Sequence, residues 1–152
     1  MKNLKNEFER AVEMELKNAE SLENSVRDLK NPLVKELVES IALDSKKHAS
    51  VFSAILEHIE NPLVPVSEEE YRRLEETIRE HIKIEEEMKG FLEKIRGQVT
   101  DKRVDFLLKS VLIDEYRHHE LLKELLQLVV RKELVTEDEW ENLTWNIMLD
   151  GV

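Results

Sequence analysis

Apolar residues recur at three and four spacing over four long stretches of this 152-residue chain, which is the pattern of amphipathic helices with one buried stripe each. The first stretch runs from about Asn3 to Leu29 and carries Leu4, Phe8, Ala11, Glu15, Ala19, Leu22, Val26 and Leu29 along one side. Asn31 reads as an N-cap with Pro32 at the first helical position, opening a second helix to about Glu60. Its stripe is Leu37, Ile41, Asp44, His48, Val51 or Phe52, Ile55 and Ile59. Residues 61–67, with Pro62 and Pro65, form a linker, and Ser67 with Glu70 three positions on predicts a capping box for a third helix. That helix extends to about Gly97 with Tyr71, Leu74, Ile78, His81 or Ile82, Glu85, Met88, Leu92 and Ile95 on its seam. Thr100 or Asp101 caps the fourth, whose seam holds Val104, Leu107, Val111, Asp114 or Glu115, His118, Leu121 or Leu122, Leu125 and Val129. A further capping box, Thr136 to Glu139, predicts a short tail helix over about 136–149 with Trp140, Leu143 and Ile147 on one side, suited to cover a bundle end or a dimer surface.

The second pair of helices repeats the first. Asp44-Ser45-Lys46-Lys47-His48 and Asp114-Glu115-Tyr116-Arg117-His118 are 70 residues apart (118 − 48 = 70), and the same offset relates Glu15 to Glu85. Leu22 then meets Leu92, Val34 meets Val104, Leu37 meets Leu107, Ser40 meets Ser110 and Leu56 meets Leu126. Sliding two amphipathic helices into hydrophobic register does not by itself align Asp-x-x-x-His and a seam glutamate together. The expectation is an all-α single domain over 1–152, made of one helical hairpin over about 3–60 and its duplicate over about 68–132.

Composition narrows the chemistry. There is no cysteine, which excludes disulfides, thiolate zinc sites and iron–sulfur clusters. The net charge of −11 argues against a nucleic-acid partner, because phosphate binding needs clustered Lys and Arg. No run of 18 apolar residues and no basic-then-apolar leader is present, so a cytoplasmic protein without a membrane partner is expected.

The polar residues on apolar stripes require an explanation. A buried carboxylate without a partner costs several kcal/mol or takes up a proton, so Glu15, Glu85, Asp44, Asp114 and Glu115 on core-facing seams call for compensation. A divalent cation supplies it. The Glu-x-x-His spacing of Glu115 and His118 puts both side chains on one helical face, about 4.5 Å of rise apart. Two simpler accounts stand beside this one: Glu115 and His118 as a solvated ion pair, and Asp44 and His48 as a satisfied hydrogen-bonded pair. His58 and His119 read as surface residues.

The pattern Glu15, Asp44 with His48, Glu85, and Asp114-Glu115-x-x-His118 resembles the ferritin-like superfamily, in the style of rubrerythrins and bacterioferritins, over residues 1 to about 130. The resemblance implies a ferritin-like four-helix bundle of two duplicated hairpins, plus the short C-terminal helix. It also implies a metal centre of Glu15, His48, Glu85, Glu115 and His118, with Asp44 and Asp114 in the surrounding shell orienting the histidines. Where such families have a second bridging glutamate, this chain has Ser45, a vacated ligand position. Either two metals are held with water or hydroxide in the vacancy, or one is held and the second position is weak. His81, one turn before Glu85, is an additional candidate ligand.

Oxygen and imidazole donors suit iron, with manganese and zinc as alternatives. The implied activity is that of a non-haem di-iron oxidase, peroxidase or ferroxidase, and a reductase role needs a separate electron donor because no Cys-rich rubredoxin module is present. The alternative is a catalytically degenerate ferritin-like bundle serving as a metal-binding or structural module, which Ser45 favours. Linker length bears on assembly. In ferritin-like bundles helix 3 runs parallel to helix 2, so the resemblance implies a return from Glu60 along His48–Glu60 and Ser67–Glu85 of ~45 Å at the helical rise, whereas residues 61–67 reach ~27 Å fully extended. Unless several helical residues unwind, a domain-swapped homodimer is expected.

Overall fold

The computed structural model describes residues 2–62 and 64–134, and the tail helix expected over about 136–149 lies outside them. Among the described residues the structure is all-α, with four long helices and no strand. The chain divides into two units, Met1–Val64 and Pro65–Val152, each built around one antiparallel helical hairpin. No helix is long and apolar enough to cross a membrane, again among the described residues.

In the first unit α1 spans Lys2–Val26 and α2 spans Pro32–Glu60. The first helix ends at Val26, before the Leu29 that its apolar period reached, because Arg27 and Leu29 donate to the carbonyls of Asn24 and Val26, three residues behind. Asn31 then caps α2, its side chain accepting from the N–H groups of Leu33 and Val34 at 3.1 Å each, with Pro32 at the first position. Ala19 and Ala42 have no exposed surface and Ala49 only 4%. Small side chains at a helix contact let the two backbones approach closely. The antiparallel pairing is fastened near its open end by Lys5 with Glu60 and by Phe8 against Phe52, ring centroids 5.9 Å apart, and further along by Lys46 with Glu23.

The side of α2 that meets α1 carries Ala42, Ser45 and Ala49, whereas Ile41, Asp44 and His48, placed on the buried stripe by periodicity, are exposed within this unit. An apolar arc wider than one packing surface has the same 3.6-residue period wherever its contact lies, so the period alone does not choose between neighbouring positions.

In the second unit α3 spans Glu68–Arg96 and α4 spans Lys102–Arg131. The capping box forms in both directions: Ser67 Oγ accepts from the Glu70 N–H, and the Glu70 carboxylate accepts from the Ser67 N–H at 2.7 Å. Asp101, not Thr100, caps α4 by accepting from the Arg103 N–H at 2.9 Å. Arg96 near the end of α3 bonds Asp105 in the first turn of α4 at 2.9 Å, which holds the short connection closed. At the other end Tyr71, Ile78 and Val129 form a buried cluster covered by Val66, Ile82, Leu122, Leu125, Leu126 and Leu134. Lys132 ends α4 in the left-handed conformation, φ 60°, and its ammonium reaches Glu68 at 2.5 Å.

Candidate metal centre

Midway along the second hairpin, Glu85 from α3 and Glu115 and His118 from α4 bring one ligand atom each to within 4.8 Å of one another. The three-residue spacing on α4 stacks Glu115 and His118 on one face, and the antiparallel partner supplies the third group at the same height. Both glutamates are half-buried, and His118 is exposed within this unit. Glu115 is pushed up to about 7 from the ordinary 4.5, first by its hydrogen bond to Glu85, then by burial and by the Glu85 charge, with His118 pulling the other way. Glu115 accordingly keeps its proton, hydrogen-bonded to Glu85, up to about neutral pH. The Glu85 Oε2 atom is buried and has no hydrogen-bond partner.

These observations fit a divalent cation. An unpartnered buried carboxylate oxygen and a neighbouring carboxyl held protonated by its hydrogen bond, by burial and by like charge are both satisfied when a cation replaces that proton. Two carboxylates and one imidazole form a hard-oxygen and borderline-nitrogen donor set suited to iron, manganese or zinc.

The first hairpin carries the matching positions with different chemistry. Glu15 and His48 face each other, Oε1 to Nδ1, at 3.2 Å. Ser45 stands where the second hairpin has Glu115; it is buried, 5% exposed, and its Oγ accepts from Asn18 Nδ2 at 2.9 Å. Asp44 and Asp114 point outward within their hairpins, ion-paired with Lys47 at 2.6 Å and with Arg117 at 3.8 Å. Those contacts are with neighbours on the same helix. His81 is exposed on α3 and outside the converging group, and His58 is exposed on α2.

His119 corrects the sequence reading: it is buried, 8% exposed, rather than on the surface. Its Nε2 lies 3.3 Å from Glu86, which also pairs with the buried Lys89 ammonium at 2.8 Å. That ammonium sits 4.8 Å over the ring of Tyr116, whose hydroxyl donates to Glu93 at 2.6 Å. The Glu93 carboxylate raises the phenol, and Lys89 lowers Glu86. A signal existed in the sequence, because Glu86, Lys89 and Glu93 on one helix and Tyr116, His119 and Lys123 on the other are complementary polar stripes at helical spacing. Periodicity assigns such stripes to solvent unless each is matched against the other.

A family model described as Rubrerythrin matches residues 6–126. No curated protein and no solved structure matches the chain.

Proposed function

Since the chain belongs to the rubrerythrin family, a ferritin-like di-iron family with an all-α bundle fold, we propose that it is an iron-binding protein of the non-haem oxidoreductase class, acting on oxygen, peroxide or Fe(II) itself. The observation that carries this reading is the convergence of Glu85, Glu115 and His118, with a buried carboxylate oxygen lacking a partner. Iron held there supplies redox chemistry that no protein side chain provides at moderate potential. Glu85 and Glu115 bring the negative charge, give up the shared proton on binding, and tolerate a change in the charge of the ion. His118 brings a neutral nitrogen donor on the same face of α4.

Electrons for any reductive step come from a separate donor, because the chain has no cysteine with which to hold a rubredoxin-type or iron–sulfur centre. The linker supports a homodimer with exchanged hairpins: α2 ends at Glu60 and α3 begins at Glu68, leaving 61–67 too short for the ~45 Å return. Val34, Ile41 and His48 fall in one row of α2, and Val111 and His118 in one row of α4, all exposed within their own hairpins. A second reading, a bundle that binds metal without turning over, is favoured by one observation, the buried Ser45 hydroxyl already satisfied by Asn18.

Anaerobic titration of chelator-treated protein with Fe(II), followed by admission of oxygen or peroxide, tests both readings. Saturable binding that Glu115→Ala removes, with oxidation faster than for free Fe(II), supports the oxidoreductase. Binding without accelerated oxidation supports the second reading. Absence of saturable binding refutes both.

A further inference from the structure

Near its C-terminal end α4 is covered on a side where α3 does not lie. Leu128 stands about 2.5 turns beyond His119, at 3.6 residues per turn, so the two side chains leave α4 in opposite directions, and His119 points to Glu86 on α3. Leu128 is nevertheless only 4% exposed. Leu121, earlier in the same row, is half-buried, and neither leucine belongs to the cluster of Tyr71, Ile78 and Val129 or to the residues packed on it. Between them Glu124 is half-buried, and its Oε2 atom is buried without a hydrogen-bond partner among the described residues. The cover is local. Val111 and His118, on the adjoining row nearer the middle of the helix, are exposed, whereas Leu125, the next residue of that row, is half-buried.

Within the second unit α3 is the only helix packed against α4, so a cover supplied by this unit comes from chain outside its helices. Lys132 takes the left-handed conformation, φ 60°, and the N–H groups of Lys132 and Glu133 return to the carbonyls of Val129 and Leu128, which reverses the chain and turns Leu134 back onto the cluster. A chain reversed there is aimed back along α4. Residues 135–152 carry Trp140, Leu143 and Ile147 at helical spacing and the acids Glu137, Asp138, Glu139 and Glu141, with no Lys, Arg or His. The helix has the complement, because Arg117 and Arg131 stand seven residues either side of Glu124 on one row, their side chains 57% and 53% exposed. Reach is sufficient. As a helix, residues 136–149 span ~21 Å, against ~10.5 Å from Leu128 back to Leu121.

We propose that residues 135–152 dock on α4 of the same chain, with Trp140, Leu143 and Ile147 against Leu121 and Leu128, the acids beside Arg117 and Arg131, and an indole, amide or hydroxyl donor on Glu124. Every side-chain donor in 135–152 is neutral, so Glu124 is satisfied there by a hydrogen bond and not by an ion pair. The occupant is the chain's own tail because Leu134, just before it, is already packed at the end of α4, and a segment tethered that closely outcompetes a second copy at micromolar concentration. The inference uses none of the three converging groups, so it and the metal reading stand or fall separately.

The test uses the full-length protein, in which Trp140 and Trp145 are the only tryptophans, so intrinsic fluorescence reports the tail alone. Acrylamide is expected to quench folded wild type much less than the urea-unfolded chain. Native-state chymotrypsin cleavage at Trp140 and Trp145, read by mass spectrometry, then measures the undocked fraction. Leu128→Asp places an unpaired charge beneath the tail and is expected to speed this cleavage by ~100-fold or more, while cleavage within the four helices stays at the wild-type rate. Arg117→Glu with Arg131→Glu is expected to speed it by ~5-fold or more at low salt, the gap closing as salt rises. Val130→Asp, on a different row and 51% exposed, is expected to change it by less than ~2-fold. Tryptophans as accessible in folded wild type as in urea overturn the proposal, and so does a folded Leu128→Asp that is cleaved no faster than wild type. Shielding lost on dilution to nanomolar protein assigns the seat to a second copy and overturns docking within the chain. An unaffected arginine variant beside an accelerated Leu128→Asp overturns the charge contacts. If Leu128→Asp does not fold by circular dichroism, the arginine variant decides.

Discussion

Replacing Glu115 by glutamine keeps the side-chain shape and removes the carboxyl that shares its proton with Glu85. In metal-free protein the Glu115 carboxyl titrates at about 7, against 4.5 ordinarily. The unfolded chain releases this proton near its ordinary value and the folded chain holds it up to about neutral pH. Between those values the unfolded state binds fewer protons, so this group's contribution makes the fold less stable as pH rises, levelling off above about 7. At ~1.4 kcal/mol per unit the full difference is ~3 kcal/mol, and partial exposure of Glu115 to water reduces it to ~1–2 kcal/mol. Glu115→Gln should therefore leave stability unchanged at low pH and raise it by ~1–2 kcal/mol at about pH 8, an increase of ~2–8 °C in thermal midpoint for a chain of this size. With metal present the order reverses. A ligand at about 100 times its dissociation constant stabilises the folded state by ~2.7 kcal/mol, and the variant forfeits most of that. Circular-dichroism melts of both proteins at about pH 5 and about pH 8, in excess chelator and then in excess Mn(II), read all four quantities. Parallel pH dependence of the two metal-free proteins refutes the shared proton, and an undiminished response of the variant to Mn(II) refutes Glu115 as a ligand.

Ala42→Leu should destabilise the first hairpin by ~1–3 kcal/mol in urea unfolding, because Ala42 and Ala19 have no exposed surface for added methylenes to occupy. Ser67→Ala removes the hydroxyl half of the α3 capping box and should lower stability by ~1 kcal/mol, with Ser67→Asp restoring most of it. Sedimentation equilibrium at micromolar concentration should give a dimer mass, and a monomer would refute hairpin exchange.

The helices were legible because their ends are local chemistry. Asn31 with Pro32, Ser67 with Glu70, and Asp101 are caps whose partners lie within three residues, so the chain announces them without reference to tertiary structure. The three converging residues were legible from spacing, since Glu115 and His118 lie one turn apart and the offset of 70 finds Glu85. What could not be read was the phase of each apolar arc against its partner. That phase puts Ala42 and Ser45 rather than Ile41 and Asp44 on the hairpin contact, and buries His119 among charges. Asn18 went unnoticed because a polar residue on a polar-rich helix carries no periodic signal. Only its pairing with Ser45, 27 residues on, gives it meaning.

The polar stripe of the second hairpin, in which Lys89 and His119 are buried, has a consequence for how that centre tolerates change. Glu86, Tyr116 and His119 each follow Glu85, Glu115 and His118 by one position, so a rotation or a slide of α4 along α3 moves both sets together. Leucines packed on leucines allow a helix to creep, whereas the Tyr116 to Glu93 hydrogen bond is directional and lapses within about half an ångström of displacement, and the Glu86 to His119 contact at 3.3 Å loosens with it. The outer stripe therefore acts as a ratchet pawl for the ligand face. Substitution of Glu93 or Lys89, neither of them among the three converging groups, is expected to shift α4 against α3 and with it Glu115 and His118.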